Sequence, residues 1–257
     1  MRGNISKALV IAMMWLVLTA CTTPGGSTKP VEHVAPDPKA AEINMRLGLN
    51  YLQRGDYAIA LEKLQRALQQ DPNLPSAHNT IAILYQRLNQ IEEAEEHFLE
   101  AVKRAPEYSE AQNNYGAFLC QQQRYEEAEQ RFLKAIENPL YPSKAQALEN
   151  AGVCVSRIPD NIKAEKYFRQ ALQMNPNLSK SLIQMANISF EQNDYLQARA
   201  YIQRYQSISQ WTSQALLLAI KTENQLDDQD AVASYALLLR ARFPDSDETQ
   251  LVKKGQY

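Results

Sequence analysis

Two stretches decide the fold: NTIAILYQRLNQIEEAEEHFLEAVKRAPEY at residues 79–108 and NNYGAFLCQQQRYEEAEQRFLKAIENPLYP at residues 113–142. Offset by 34, Ile81-Ala82 falls on Tyr115-Gly116, while Ala94, Phe98 and Ala101 fall on Ala128, Phe132 and Ala135. Intervals of four and three keep such residues on one face of a helix. The same offset reaches outward to Ala60-Leu64-Ala67 on one side and Ala164-Phe168-Ala171 on the other. It also carries Leu47-Gly48 with Tyr51, Ala151-Gly152 with Val155, and Met185-Ala186. Prolines keep the same beat: Pro72, Pro106, Pro176 and Pro244 are spaced by 34, 70 and 68 residues. Those spacings are one period, two periods plus two residues, and two periods.

A fixed interval of 34 is the tetratricopeptide period. The small residue lets two helices of one unit approach closely, the aromatic fills the gap to the next unit, and proline ends the second helix. The expected fold is all-α, a right-handed α-solenoid of about six helix-turn-helix repeats. Its units fall at 41–74, 75–108, 109–144, 145–178, 179–212 and 213–246. The third is two residues longer than the period because residues 137–143 hold both Pro139 and Pro142. The fifth is degenerate, with Ser189 in place of the aromatic and Tyr205 where a small residue belongs. The sixth keeps little beyond Pro244 and an amphipathic pattern. Residues 247–257 read as a C-terminal tail or a short capping helix, with Asp245-Ser-Asp-Glu248 as its start.

Composition agrees with this and excludes alternatives. Of 257 residues 45% are hydrophobic, enough for a buried core, and only 8 are glycine, too few for glycine-turned barrels or phosphate-cradling loops. With 27 basic against 29 acidic side chains, the net charge of −2 lacks the cationic excess of a nucleic-acid binder.

The first twenty residues read as a signal peptide. Arg2 and Lys7 precede the apolar run Ala8–Leu18, which is shorter than the ~20 residues that span a bilayer. Leu18-Thr19-Ala20-Cys21 then resembles the bacterial lipobox. That resemblance implies that Cys21 becomes the mature N-terminus and carries acyl chains, each buried methylene contributing ~0.8 kcal/mol to anchoring. Thr22 after the cysteine, rather than aspartate, favours the outer membrane by analogy with Gram-negative lipoprotein sorting. Residues 21–39, with four prolines and the pair Gly25-Gly26, form an extended tether of roughly 60 Å at ~3.3 Å per residue.

Once Cys21 is lipidated, Cys120 and Cys154 remain. Both fall near the ends of first helices in adjacent units, so equal depths could bring their Cα atoms within the ~7 Å a disulfide needs. Such a bridge would close a loop of about 34 residues and contribute about 3–4 kcal/mol. Two buried free thiols acting as small hydrophobes are the alternative.

Enzymatic motifs are missing: there is no GxxxxGK[ST], GxGxxG, HExxH, GxSxG or CxxC. His33 lies in the tether, and His78 and His97 are 19 residues apart, which is no metal-ligand spacing. Pairs such as Glu92-Glu93, Glu95-Glu96 and Glu126-Glu127 read as solvated helix faces. No catalytic residue, metal, cofactor, small-molecule substrate or nucleic acid is expected, and no unassigned stretch is long enough for a catalytic domain. The expectation is instead a partner-binding groove lined by first helices. The repeat register places Asn79, Ile83, Gln86 and Arg87 there from the second unit, Asn113 and Ala117 from the third, Glu149, Val153 and Arg157 from the fourth, and Asn187 and Phe190 from the fifth. Met45 and Leu49 occupy the groove positions of the first unit, so a Lys/Asn clamp for a C-terminal carboxylate is unsupported. A monomer is expected.

Asn113-Asn-Tyr-Gly-Ala-Phe-Leu-Cys120, Arg124-Tyr-Glu-Glu-Ala128, Asn138-Pro-Leu-Tyr141 and Glu149-Asn-Ala-Gly-Val-Cys154, together with the lipobox, resemble the PilF/PilW pilotin family of type IV pilus biogenesis lipoproteins. The resemblance implies an outer-membrane lipoprotein, facing the periplasm, that binds subunits of the pilus secretin. It would carry them to the outer membrane and promote their multimerisation, supporting pilus biogenesis and twitching motility. The competing reading is a periplasmic tetratricopeptide scaffold lipoprotein serving barrel assembly or cell-wall hydrolase complexes.

Overall fold

The computed structural model describes residues 36–158 and 161–257. The signal peptide, Cys21 and nearly all of the tether lie outside the described residues. Among those described there are thirteen helices and no strand. Pro38–Arg54 (α1) and Tyr57–Gln70 (α2) form the first pair, and Pro75–Arg87 (α3) with Ile91–Arg104 (α4) the second. Ser109–Gln121 (α5) and Tyr125–Glu137 (α6) follow, then Lys144–Val155 (α7) and Asn161–Met174 (α8). Ser179–Glu191 (α9) pairs with Tyr195–Ile208 (α10), and Ser213–Gln225 (α11) with Gln229–Arg242 (α12). Asp247–Lys253 (α13) closes the chain. The architecture is an α-solenoid of tetratricopeptide repeats, and no described helix is long and apolar enough to cross a membrane.

The first helix starts at Pro38, so it takes the last two residues assigned to the tether. The cause is local. The Asp37 carboxylate accepts hydrogen bonds from the Lys39 and Ala40 amides at 3.1 and 3.0 Å, and proline at the first helical position forfeits no hydrogen bond.

In five of the six units the first helix stops in the same way; the fourth instead leaves α7 through Ser156 in a right-handed conformation. Gly55, Asn89, Gln123, Asn193 and Asp227 take left-handed φ values of 84°, 58°, 62°, 63° and 57°. The following amide then reaches back over the helix end: Asp56 to the Tyr51 carbonyl, Gln90 to Tyr85, Arg124 to Leu119, Asp194 to Ser189 and Asp228 to Glu223, all at 2.8–3.0 Å. This satisfies carbonyls that the helix end would otherwise leave open.

Close approach of the paired helices requires a small residue facing a large one. A Cβ placed on Gly116 would lie 2.8 Å from the Phe132 ring, one on Gly152 2.7 Å from Phe168, and one on Gly48 2.5 Å from Leu64. The equivalent positions are Ala82 with Phe98, and Ala186 with Ile202, all buried. In the sixth unit the sizes are exchanged: Ile220 on α11 is fully buried, and Ala236 stands on α12. Between units, Phe98 packs against Tyr115 and Phe118 of the next unit at centroid distances of 5.7 and 5.3 Å. Aromatic pairs at such distances add about 0.5–1.5 kcal/mol beyond their buried area.

Tyr205, the misfit of the fifth unit, is buried and useful there. Its hydroxyl donates to the Gln210 carbonyl at 2.9 Å, and its ring meets Trp211 edge-on, which in turn meets Tyr235. Arg199 ties the same region together by pairing with Glu223 and, at 3.4 Å, with Asp228.

The two ends differ. At the C-terminus α13 packs on α11 and α12, with Thr249 donating to the Phe243 carbonyl at 2.7 Å and Val252 buried. At the N-terminal end Ile43 and Leu47 are 60% and 40% exposed, whereas Ala77 and Ile81, one period later, are buried.

Candidate functional site

Successive first helices contact one another, α1 to α3, α3 to α5, α5 to α7, α7 to α9 and α9 to α11. One position on each of the last five presents a half-buried side chain: Ile83, Ala117, Val153, Asn187 and Lys221. Polar side chains beside this line are tied from helix to helix. Asn114 donates to Asn79 at 3.2 Å, Asn150 to Asn113 at 3.1 Å, and Gln86 to Gln121 at 2.7 Å. Arg87 is exposed and donates to the Leu52 carbonyl across the unit boundary at 3.1 Å.

Two of the sequence-derived groove positions are corrected. Asn79 is only 2% exposed and Glu149 only 3%. Glu149 accepts from the Ser181 amide at 2.9 Å and from its hydroxyl at 2.8 Å, so its carboxylate caps the first turn of α9. An anion is favoured at a helix N-terminus, where unpaired amides and the helix dipole converge. Phe190 is half-buried and packs edge-on against Tyr195 at 5.4 Å, which makes it a lining residue with little free surface. Arg157 is exposed.

Two cavities open along this face. One, about 340 Å³, lies between α5 and α7, with Ala117, Val153 and Phe132 as apolar wall and Asn150, Gln121 and Arg157 as polar rim. The other, about 260 Å³, lies between α9 and α11, lined by Ile183, Leu218 and Tyr205 with Lys180, Gln184 and Asn187. Lys180, Ile183, Leu218 and Lys221 escaped the sequence reading, although Ile183, Leu218 and Lys221 each stand a whole number of periods from a residue it named or from that residue's neighbour. The fading consensus of the last two units hid them.

Cys120 lines the first cavity. The structure joins it to Cys154 with Cα atoms 5.7 Å apart, stapling α5 to α7 at the same depth. The histidines form a pairing that the sequence reading did not anticipate. The spacing of 19 gave His78 and His97 no relation, yet α3 and α4 bring their Nδ1 atoms to 3.0 Å, with His78 Nε2 at 3.1 Å from the Pro72 carbonyl. Burial, above all, lowers the pKa of both imidazoles. Arg104 lowers His78 further, against the pull of the Pro72 carbonyl, Glu100 and Asp71; His78 lowers His97 further, against Glu96 and Glu100. No group of three or more His, Cys, Asp or Glu side chains among the described residues could hold a metal ion. At the edge of the face, Tyr108 is pushed up to about 12, first by burial and then by the Glu110 carboxylate.

The arrangement offers shape, amides and a few charges, with no nucleophile–base pair aligned in either cavity. The comparisons agree with a binding role. Tetratricopeptide repeat models match residues 79–145 and 119–179, and a further repeat model matches residues 48–89. The chain is 32% identical over 244 residues to the type IV pilus assembly protein PilF of Pseudomonas aeruginosa, covering 95% of this chain and 96% of that protein. The solved structure of Pseudomonas aeruginosa PilF superposes with a TM-score of 0.81 at 33% identity, over 84% of this chain and 98% of that one. PilW, a widely conserved type IV pilus biogenesis factor, does so with a TM-score of 0.74 at 30% identity, over 84% and 99%. YrrB, a repeat protein with an unusual peptide-binding site, shares the fold at 16% identity and a TM-score of 0.61, over 74% and 97%. Repeat architecture, end-to-end identity and superposition converge, and the chain belongs to the PilF family of type IV pilus assembly proteins, built on tetratricopeptide repeats.

Proposed function

We propose that this protein acts as a pilotin: it binds subunits of the outer-membrane secretin of the type IV pilus machine, brings them to the outer membrane and promotes their multimerisation. Pilus biogenesis and twitching motility would depend on it. The observation that supports this most directly is the 32% identity with PilF across 95% of this chain and 96% of that protein. The first-helix face, with its two cavities, is the surface on which an extended partner segment would lie. In this reading Cys21 carries the lipid that sets the address, the proline-rich segment sets the reach, and the solenoid does the binding without making or breaking a bond.

The test is Cys21→Ser in the parent bacterium, scored by membrane fractionation and by secretin multimers on gels. The folded protein should persist while secretin leaves the outer membrane or fails to multimerise. Normal secretin multimers in the outer membrane of that variant overturn the sorting role. Co-purification with barrel-assembly or cell-wall hydrolase components, and without secretin, would instead establish the scaffold reading.

A further inference from the structure

The charges along the first-helix face are unevenly spent. In its C-terminal half Arg157 and Lys180 are exposed and Lys221 is half-buried, and none has an ion-pair partner among the described residues. The acids on these helices are occupied: Glu149 caps α9 through Ser181, Glu223 is held by Arg199, and Glu191, one period from Arg157, is engaged as well. Each cavity therefore sets an unpaired cation beside an apolar wall, Arg157 next to Val153 in one and Lys180 next to Ile183 in the other. The chain as a whole carries a net −2, so this local excess is not a by-product of composition. In the N-terminal half, by contrast, Arg46 is paired with Glu42 on the same helix, and Arg87 is held by the Leu52 carbonyl rather than by an acid.

We infer that the C-terminal half of this face receives an extended partner segment in which acidic side chains alternate with apolar ones. Each apolar side chain enters a cavity, and each carboxylate meets the cation at its rim. First helices of successive units pack ~10 Å apart, so cavities two units apart are ~20 Å apart, about six residues of extended chain. The segment then carries two acidic–apolar pairs about six residues apart. This deepens the groove reading given above and rests on it.

The test uses the full-length protein in the parent bacterium, with a photo-crosslinking amino acid at Asn187 and, as a control, at Leu133 on a second helix. Cross-linked segments are sequenced by mass spectrometry. Expected at Asn187 is a segment rich in Asp or Glu and large apolar residues, with yield falling about tenfold in an Arg157→Glu/Lys180→Glu/Lys221→Glu variant. The charge-keeping variant Arg157→Lys/Lys180→Arg/Lys221→Arg should retain the yield, and helical content measured on all three proteins separates lost binding from lost folding. Should the triple reversal not fold, the yield of the unreversed protein must still fall as salt rises. A basic or uncharged segment at Asn187, or a yield indifferent to both reversal and salt, overturns the inference while leaving a groove-bound partner intact. Absence of any cross-link at Asn187, in cells whose secretin still multimerises only when this protein is present, removes the groove itself.

Discussion

The third and sixth units fill the same space with opposite choices. In the third, α5 contributes nothing at Gly116 and α6 contributes the whole Phe132 ring; in the sixth, α11 contributes Ile220 and α12 only Ala236. Around that point the third unit is bound to its neighbour by the Cys120–Cys154 bridge. The sixth is bound by the Arg199 ion pairs and the Tyr205–Trp211–Tyr235 contacts. The lesson is that this repeat fixes a volume and a distance of approach, and leaves open which helix supplies the bulk. Close packing tolerates exchange when total volume is kept.

Four experiments bear on that comparison. The largest effect is expected from Ile220→Ala, which empties a fully buried site and should cost about 4 kcal/mol in denaturant unfolding. Adding Ala236→Ile should recover more than half of it; no recovery would show that the two units do not share a volume rule. Next comes reduction of the Cys120–Cys154 bridge, which closes a loop of 34 residues and should lower stability by about 3–4 kcal/mol. An unfolding midpoint indifferent to reductant would mean the third junction needs no staple. Third is Glu223→Gln, which leaves Arg199 facing only Asp228. Arg199 is 27% exposed, so the loss should be about 2 kcal/mol, below that of a fully enclosed pair. A loss within error of zero would assign the sixth unit's cohesion to its aromatics alone.

The smallest effect is pH dependence, and it separates the two halves. The folded pKa values of His78 and His97 lie below the value of about 6.5 expected in the unfolded chain, so the unfolded state binds more protons. Their contribution is fully present above about pH 6.5 and is lost as pH falls through it toward the folded values. Midpoints measured at about pH 7.5 and about pH 5.5 should drop for the wild type and drop less for His78→Gln/His97→Gln. The same drop in both proteins would acquit the pair. No histidine occurs after His97, so hydrogen exchange should find this loosening in the second unit and not in the last two.

How far the fold could be read followed the same division. Units two to four were legible because a Gly or Ala facing Phe recurs there in one orientation at a fixed interval. Unit six was not, because the exchange of Ile220 and Ala236 preserves packing while erasing the motif. Tyr205 looked like an error at a small-residue position and is a hydrogen-bonded part of the core. For the binding face, period arithmetic placed Ile83, Ala117, Val153, Arg157 and Asn187, but could not see that Glu149 turns toward α9. Capping partners depend on how neighbouring units meet, which a register within one unit does not encode. The His78–His97 contact was hidden for a similar reason: it crosses the turn between paired helices, where separation along the chain says little about distance.

The turns carry a consequence for the chain before it folds. Four of the five left-handed turn positions are Asn89, Gln123, Asn193 and Asp227, and only Gly55 is the residue that adopts this conformation freely. Each of the four holds native strain of about 1 kcal/mol that glycine would relieve. Glycine would also loosen the unfolded chain, at a cost to stability of about 0.4–1 kcal/mol. The two effects nearly offset, so a glycine-poor helical repeat can close its turns with ordinary residues while denying its unfolded ensemble the extra freedom that four more glycines would grant.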